Sequence, residues 1–334
     1  MKIDADLGRD LDGLVERARL AEADGYDALW LSETGHDPLT ALGAVAPATT
    51  RALLGTGIAV AFARSPMTLA TAANDLQILS GGRFLLGLGS QVRPHIERRY
   101  SMPWSHPARR MREYVLALRA IWASWHEGER LFFRGEFYRH TLMTPFFNPG
   151  PSPFGAPPVY LAAVGEAMTA VAGEVADGLL VHPFTTAHYL AEVTHPALSR
   201  GRERAGRDGP FEISLSAFVV TGASDDAIDS ALRRVREQIA FYGSTPAYRA
   251  VLESHGWSGL HEHLHELSSR GAWEEMGRAI DEEVLHTFAV VAPPEEVGRA
   301  LRERFGDLVT RLGLYTPYDL DPAVTRRIVS DLRD

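Results

Sequence analysis

Two polar side chains directly follow an early apolar run of the sequence, and their types allow proton-transfer chemistry. Glu33 and His36 lie in the segment SETGHDP, after the apolar residues ALWL. An imidazole with an ordinary pKa near 6.5 can act as a general acid or base at neutral pH. The segment also fits a loop in which Asp37 caps a helix that begins at Pro38. These two readings are compatible, so we expect His36, assisted by Glu33, to move a proton beside a capped helix.

A second candidate is an anion site in the segment AAVGEAMTAVAGEVADG, where an apolar run passes directly into a helical pattern. The backbone N–H groups of Val164, Gly165 and Glu166 would be unpaired donors at the positive end of the helix dipole, which suits a phosphate. The alternative is an ordinary tight turn, in which the Glu166 carboxylate itself satisfies the dipole.

Two glycine pairs, in GTG at Gly55–Gly57 and in GLG at Gly87–Gly89, lie inside apolar runs. Neither has the third glycine of a dinucleotide-binding fingerprint, and neither opens a helix. Glycine within a strand indicates a bulge or the close approach of another molecule. A flat ring lying against the backbone of the third strand would need such room.

The run RPHIERRY places Arg93, His95, Arg98 and Arg99 after the fourth apolar run. Arginine binds carboxylates and phosphates by bidentate contacts, so the run can form a positive rim for an anionic ligand. The alternative is a solvated helix face paired with Glu97.

The stretch HEHLH sets His261 and His265 one helical turn apart. This spacing suits zinc, but no HExxH order and no acidic ligand set accompany it, so we predict no metal site.

The composition excludes several classes of protein. The 334 residues contain 34 basic and 43 acidic side chains, which argues against nucleic-acid or anionic-membrane binding. The absence of cysteine rules out disulfides, iron–sulfur clusters and a cysteine nucleophile. Lys2 is the single lysine beside 33 arginines, so neither a Schiff-base lysine nor a P-loop is expected. Without a signal peptide or a long apolar run, the expected location is the cytoplasm.

Short apolar runs alternate with amphipathic stretches along the chain, which is the pattern of parallel strands each followed by a helix. Eight such units close into a (β/α)8 TIM barrel of the α/β class, with an open doubly wound sheet as the alternative. We expect one domain over residues 1–334. The predicted strands are Lys2–Leu7, Ala28–Glu33, Leu53–Val60, Phe84–Ser90, Val159–Val164, Gly178–Phe184, Phe211–Val220 and Leu308–Tyr315.

Three long insertions interrupt the alternation. They follow strand 4 (QVRPHIERRYSMPWSHP), follow helix 4 (ERLFFRGEFYRHTLMTPFFNPGPSPFGAPP), and precede strand 8 as several short helices within Thr245–Arg304. Loops of this length are usually functional or disordered. The aromatic residues of the first two insertions favour packed lids, because disordered segments are poor in aromatics.

Four segments together resemble the luciferase-like flavin and deazaflavin oxidoreductases, specifically the branch that uses coenzyme F420. They are GTGIAVAFARSP, LSGGRFLLGLGSQVRPHIERRY, MPWSHPARRMREYVLALRAIW and VYLAAVGEAMTAVAGEVADGLLVHPF. The resemblance runs nearly end to end. It implies a TIM barrel with the deazaflavin ring over the strand ends, and the phosphate tail toward the loops after strands 4 and 5. It also implies a homodimer.

The resemblance also assigns residues to the cofactor. A bulge with a cis peptide bond between Gly57 and Ile58, continuing into Ala59, would lie behind the ring, and the remaining contacts would be Ser90, Arg93, Val164, Gly165 and Glu166. Two positions depart from the family pattern. Related enzymes carry the acidic residue and the histidine side by side, whereas two residues separate Glu33 from His36, and several relatives have Glu where this chain has Ser90.

The expected function is therefore an F420-dependent oxidoreductase that transfers a hydride between the deazaflavin ring and a small organic substrate. One alternative is an FMN-dependent luciferase-like monooxygenase, because both cofactors present a tricyclic ring and a phosphate. Another is a cofactor-binding barrel without catalysis. A cofactor-free isomerase or hydrolase would need a carboxylate pair or a metal set, and the sequence shows neither.

Overall fold

The computed structural model describes residues 1–333, and there eight parallel strand positions close into a barrel surrounded by helices. Residue 334, the last of the predicted domain, lies outside the described residues. The strands are β1 (Lys2–Asp6), β2 (Ala28–Leu31), β3 (Leu53–Thr56), β4 (Ala59–Val60), β5 (Phe84–Gly89), β6 (Phe133–Arg134), β7 (Arg139–His140), β8 (Val159–Ala163), β9 (Gly178–Val181), β10 (Glu212–Val220), β11 (Ala289–Val291) and β12 (Arg311–Tyr315).

The helices follow the strands along the chain, and short 3-10 or π-helical turns lie between several of them. The α-helices are α1 (Leu14–Ala23), α2 (Pro38–Val45), α3 (Pro66–Leu79), α4 (Pro107–His126), α5 (Glu166–Val175), α6 (Ala187–Tyr189), α7 (His195–Arg204), α8 (Asp225–Gly243), α9 (Arg249–Glu253), α10 (Ser258–Ser269), α11 (Trp273–Arg278), α12 (Glu282–Phe288), α13 (Pro294–Phe305) and α14 (Pro322–Arg333). Across residues 1–333, none of them has the length and apolar character that crossing a bilayer requires.

The barrel wall runs β1, β2, β3 with β4, β5, β8, β9, β10 and β12, and the last strand pairs with the first. Lys2 lies opposite Arg311 in this parallel closing ladder. The closure confirms the predicted (β/α)8 TIM barrel and excludes the open sheet. All eight predicted strands are present, although the last begins at Arg311 rather than Leu308.

The third strand is not continuous as predicted. Gly55 pairs with Leu85, and the next pair is Ala59 with Leu88, so three residues on one strand face two on the other. This is a one-residue bulge, as the glycine pairs indicated. At the bulge, Thr56 Oγ1 donates to the Gly87 carbonyl at 2.7 Å and accepts from the Gly87 N–H at 2.9 Å.

The insertions follow strand 4, helix 4 and the seventh barrel strand, as predicted. Their internal structure contains two features that the sequence did not indicate, a short hairpin of β6 and β7 and the strand β11. β11 pairs with the upper part of β10, where Phe218 lies opposite Ala289. Helices α8 to α12 enclose a second apolar core there, to which Phe184 and Phe218 contribute from the barrel side.

The expectation of a packed lid is wrong for part of the insertion after helix 4. Phe146 is 89% exposed, Phe147 is 74% exposed and Leu142 is 76% exposed. The local sequence MTPFFNPGPSP is rich in proline and glycine, which favour turns over a regular element, and Phe146 and Phe147 contact each other edge to face.

A buried ion pair closes the barrel from within. Arg311 donates to both carboxylate oxygens of Asp4, through Nε at 2.9 Å and Nη2 at 2.7 Å, and both side chains are almost fully buried. The Trp30 indole N–H and the Ser214 hydroxyl also donate to Asp4, at 2.9 and 3.2 Å. Arg311 Nη1 donates to Glu212 at 3.1 Å. One carboxylate therefore links strands β1, β2, β10 and β12.

Replacing Asp4 by Ala should lower the free energy of unfolding by about 3 to 5 kcal/mol, because it leaves the Arg311 charge buried without its main partner. Urea unfolding measures the effect. The double variant Asp4→Leu with Arg311→Met removes both charges and should recover most of the loss. If the double variant is no more stable than the single one, the cost comes from lost packing and this account is wrong.

Candidate active site at the barrel mouth

Glu33 holds the bulge of the third strand at the barrel mouth, meaning the end where the carboxyl termini of the strands meet. Its N–H donates to the Ile58 carbonyl at 3.0 Å, and its carboxylate accepts from the Val60 N–H at 2.7 Å. Arg64 Nη1 at 2.7 Å and the Tyr100 hydroxyl at 3.0 Å complete its partners. The Glu33 side chain is 6% exposed, so its carboxylate is committed to this network.

Arg64 extends the network to the start of α2. Its Nη2 donates to Asp37 at 2.7 Å, and Asp37 also accepts from the N–H groups of Leu39 and Thr40. Burial alone would raise the pKa of Asp37, but these N–H groups and the Arg64 guanidinium hold it below its usual value. The predicted cap at Asp37 is confirmed.

His36 lies on the same loop but makes no hydrogen bond to this network. Its side chain is exposed, whereas the Glu33 carboxylate contacts Val60, Arg64 and Tyr100. The structure therefore does not join Glu33 and His36 by a hydrogen bond. The proton-transfer role of His36 stays a prediction, and the structure shows Glu33 in a positioning role.

The bulge itself carries the predicted cis peptide bond between Gly57 and Ile58. Gly57 and Ile58 are half-buried at the mouth, while Ala59 is buried. A Cβ added at Gly57 would meet only Trp30, at 3.4 Å or more, which is ordinary contact. Position 57 therefore tolerates a small side chain, unlike Gly87, where a Cβ would lie 1.9 Å from the Thr56 carbonyl oxygen.

Ser90 and Arg93 follow β5, on the loop where the resemblance places cofactor contacts. Ser90 is half-buried, and its hydroxyl donates to the Gln91 carbonyl at 3.1 Å. Arg93 is exposed, and its Nε donates to both oxygens of Glu97 at 3.0 Å. The pairing with Glu97 is the solvated-face arrangement, and an exposed pair of this kind opens at little cost.

The turn from β8 into α5 leaves the start of the helix without a side-chain cap among the described residues. Gly165 is the residue before the first helical turn. The Glu166 carboxylate pairs with Arg200 at 2.6 Å instead of with the backbone N–H groups. A Cβ at Gly165 would meet nothing within 4 Å, so the space beside this residue is open.

A group of four side chains on the opposite side of the mouth was not predicted as a site. His182 follows β9 and Tyr315 ends β12, while Tyr242 and Tyr248 come from the insertion after β10. Tyr248 stacks on the His182 ring at 4.5 Å and their polar atoms lie 3.2 Å apart. The hydroxyls of Tyr242 and Tyr315 lie 2.8 Å apart. We call these four residues the tyrosine wall.

Burial governs the protonation of the tyrosine wall. It lowers the pKa of His182 to about 4 and raises the pKa of Tyr248 to about 12. The pKa values of Tyr242 and Tyr315 are also raised, chiefly by burial. At neutral pH the imidazole is therefore uncharged and the three phenols keep their protons.

Part of this wall had a signal in the sequence. His182 lies near the end of the predicted strand Gly178–Phe184, and Tyr315 ends the predicted strand Leu308–Tyr315, but the sequence gives neither residue a role. Tyr242 lies near the end of α8 and Tyr248 in the turn that follows it, where no strand pattern indicates the position of a side chain.

The two histidines of HEHLH serve helix packing. His261 Nδ1 donates to the Gly243 carbonyl at 2.7 Å, and His265 Nδ1 donates to the Ser244 carbonyl at 3.0 Å. Both carbonyls lie at the carboxyl end of α8, where the helix itself supplies no donor. Among residues 1–333, no cluster of three or more metal-binding side chains is present.

Comparisons with known proteins agree with this architecture. The sequence model of one family, described as luciferase-like monooxygenase, matches residues 3–311. An uncharacterized protein of Mycobacterium tuberculosis is 53% identical over 313 residues, covering 93% of this chain and 92% of that protein. The F420-dependent glucose-6-phosphate dehydrogenase of Segniliparus rotundus is 28% identical over 310 residues, covering 85% of this chain and 82% of that enzyme.

Solved structures show the same fold. The coenzyme F420 dependent tetrahydromethanopterin reductase from Methanopyrus kandleri superposes with a TM-score of 0.78 at 19% identity. The superposition covers 99% of this chain and 96% of that chain. This chain and that reductase thus share one barrel fold over nearly their whole lengths. The bulged third strand and the uncapped start of α5 are parts of that barrel in this chain.

The buried His182 predicts a stability loss in mild acid. Its pKa of about 4 in the folded protein lies below its ordinary value of 6.5, so the unfolded chain binds a proton first as pH falls. Between pH 6.5 and pH 4 the free energy of unfolding should drop by roughly 2 to 3 kcal/mol from this residue.

Urea unfolding of the wild type and of His182→Gln at pH 7 and pH 4.5 isolates the contribution, because Gln does not titrate. The pH-dependent loss should shrink in His182→Gln and stay unchanged in His263→Gln, which replaces an exposed histidine. Equal pH dependence in all three proteins would contradict the assignment.

Proposed function

The chain belongs to the luciferase-like monooxygenase family, and we propose that it is a coenzyme F420-dependent oxidoreductase acting on a small organic substrate. One observation supports this most directly. The mouth combines a half-buried glycine bulge, which suits a flat ring, with an uncapped helix start two strands further on, which suits an anionic tail. A deazaflavin cofactor has both parts.

The residues present fit that group. The ring would lie against Gly57, Ile58 and Ala59, where the backbone is bulged and one position has no side chain. The phosphate would take the N–H groups of Val164, Gly165 and Glu166, with their helix dipole. When bound, a deazaflavin supplies a ring carbon that accepts or donates a hydride.

Ser90 and Arg93 would complete the cofactor contacts on the loop after β5. The exposed pair of Arg93 with Glu97 leaves the guanidinium free to exchange partners, because such pairs are weak in water. An arginine fork is suited to a phosphate oxygen pair.

The protein's own contribution is orientation and a proton route. Glu33 fixes the backbone at the bulge through Val60 and Ile58, and so sets the surface on which a ring would rest. The exposed imidazole of His36 is the group we propose to hold or accept a proton at the substrate. The two residues thus have separate tasks.

The names of the relatives support the cofactor more than the substrate. Both the dehydrogenase of Segniliparus rotundus and the reductase of Methanopyrus kandleri are named as F420-dependent, and their substrates differ. A shared fold with different chemistry is common among barrels. We therefore propose the cofactor and the reaction type, with the substrate as a small organic molecule.

A second candidate is an FMN-dependent monooxygenase that consumes dioxygen, which the family description itself favours. A barrel that binds the cofactor without catalysis is the third. The homodimer and the cytoplasmic location remain predictions.

Fluorescence titration of the purified protein with oxidised F420, and separately with FMN, tests the proposal. We expect micromolar or tighter binding of F420 and at least tenfold weaker binding of FMN. Gly57→Val should weaken F420 binding at least tenfold, because a branched side chain beside Trp30 would disturb the half-buried bulge against which the ring would lie. Gly259→Ala, at an open position on α10, should leave it unchanged. Preference for FMN with oxygen consumption would contradict the proposal.

His36→Ala should reduce turnover at least a hundredfold while F420 affinity changes less than twofold, because the residue is exposed and holds no part of the bulge. Glu33→Gln should weaken F420 binding, because it disturbs the bulge. Both are assayed by single turnover on those members of an alcohol and enone panel that the wild type converts, with oxidised F420 for the alcohols and reduced F420 for the enones. Unchanged turnover in His36→Ala would remove His36 from the mechanism.

A further inference from the structure

The tyrosine wall faces the same mouth as the bulge, from the other side of the barrel. His182 and Tyr315 belong to strands β9 and β12, whereas the bulge belongs to the third strand position of eight. All four side chains of the wall are half-buried, so each keeps part of its surface open. The residues around them, Phe184 and Phe218, are apolar and buried.

The hydrogen bonds of His182 fix the direction of one phenol proton. The Phe184 N–H donates to His182 Nδ1 at 3.1 Å, so Nδ1 carries no hydrogen. The neutral ring then has its hydrogen on Nε2, which donates to the Tyr248 hydroxyl at 3.2 Å. The Tyr248 hydroxyl thus accepts from His182 and does not donate its own proton to it. Within residues 1–333 that hydroxyl has no other hydrogen-bond partner, and its proton is available to the mouth.

The Tyr242–Tyr315 pair supplies a second donor. Their hydroxyls lie 2.8 Å apart, and a hydrogen bond between two hydroxyls consumes one of the two protons. The other proton remains available. The wall therefore offers two O–H donors from different elements.

The wall carries no net charge. Burial keeps His182 neutral and the phenols protonated. The charged groups that face it are Asp6, at the end of β1, and Arg9, in the loop that follows, and their opposite charges attract each other. A carboxylate or phosphate would instead require an unopposed cation. Donors without charge suit a neutral oxygen acceptor.

We propose that the tyrosine wall binds the oxygen of an uncharged carbonyl compound, through the Tyr248 hydroxyl and the free hydroxyl of the Tyr242–Tyr315 pair. His182 is a positioning residue that directs the Tyr248 proton. The proposal rests on the proposed function, because it names the substrate class of the same mouth. The half-buried rings of Tyr242, Tyr248 and Tyr315 offer apolar faces to a hydrocarbon body attached to that carbonyl.

The probe is acetophenone labelled with carbon-13 at its carbonyl, added to the protein without cofactor. In the wild type, hydrogen bonding should move the carbonyl resonance of the bound probe downfield. Tyr248→Phe should reduce that displacement and raise the Kd about five- to tenfold, the effect of losing one hydrogen bond. Tyr26→Phe, a buried tyrosine near the end of α1 and away from the wall, should change neither value.

The histidine variants test positioning. His182→Phe should resemble Tyr248→Phe, whereas His182→Gln, which can still donate to Tyr248, should retain most of the displacement. A merely structural role of His182 predicts no such difference between two variants whose unfolding curves in urea show them folded.

Benzoate tests the charge argument, because it has the same ring and a full negative charge. It should bind at least tenfold more weakly than acetophenone. The proposal is overturned if acetophenone does not bind, if benzoate binds as tightly, or if Tyr248→Phe leaves resonance and Kd unchanged. F420 titration of the same proteins keeps the two proposals distinct: failure of the wild type to bind F420 removes the proposed function, while the acetophenone result stands.

Discussion

The buried ion pair between Asp4 and Arg311 is the contact on which the barrel depends. These residues lie 307 positions apart, and their side chains meet beside the ladder that joins the first strand to the last. A parallel barrel has no edge only when this ladder forms. Because every candidate site residue is positioned by the end of a strand or by the insertion packed on those ends, their relative positions all follow from this closure.

The Glu33 carboxylate, which we expected to assist proton transfer, holds the backbone of the bulge in place. The buried Glu33 carboxylate accepts from three donors, and taking up a substrate proton would remove the negative charge that the Arg64 guanidinium contacts. A buried, fully paired carboxylate is costly to disturb. The exposed His36 is not part of this hydrogen-bond network. Residue type and spacing suggested a pair, whereas burial divides it into a positioning residue and a free one.

The sequence predicted those parts of the molecule that local patterns encode. The apolar runs located the eight strands, the residues Asp37 and Pro38 located the start of α2, and the glycines at 55–57 indicated a bulge. Features that depend on distant partners were out of reach. Nothing near Asp4 indicates Arg311, and nothing near Tyr248 indicates His182. The strand β11 exists only because β10 extends past the end of β9 and leaves its upper backbone to be paired.

The charge distribution at the mouth assigns an orientation to whatever binds there. Arg93 and the uncapped start of α5 lie after β5 and β8, and both favour negative charge. The tyrosine wall, at β9 and β12, offers protons without charge. An anionic tail placed over the wall would lie away from Arg93 and from the positive end of the α5 dipole. A neutral carbonyl placed over α5 would gain little from either charge. We therefore expect a ligand with a charged tail to lie with that tail over α5, and an uncharged molecule to lie at the wall.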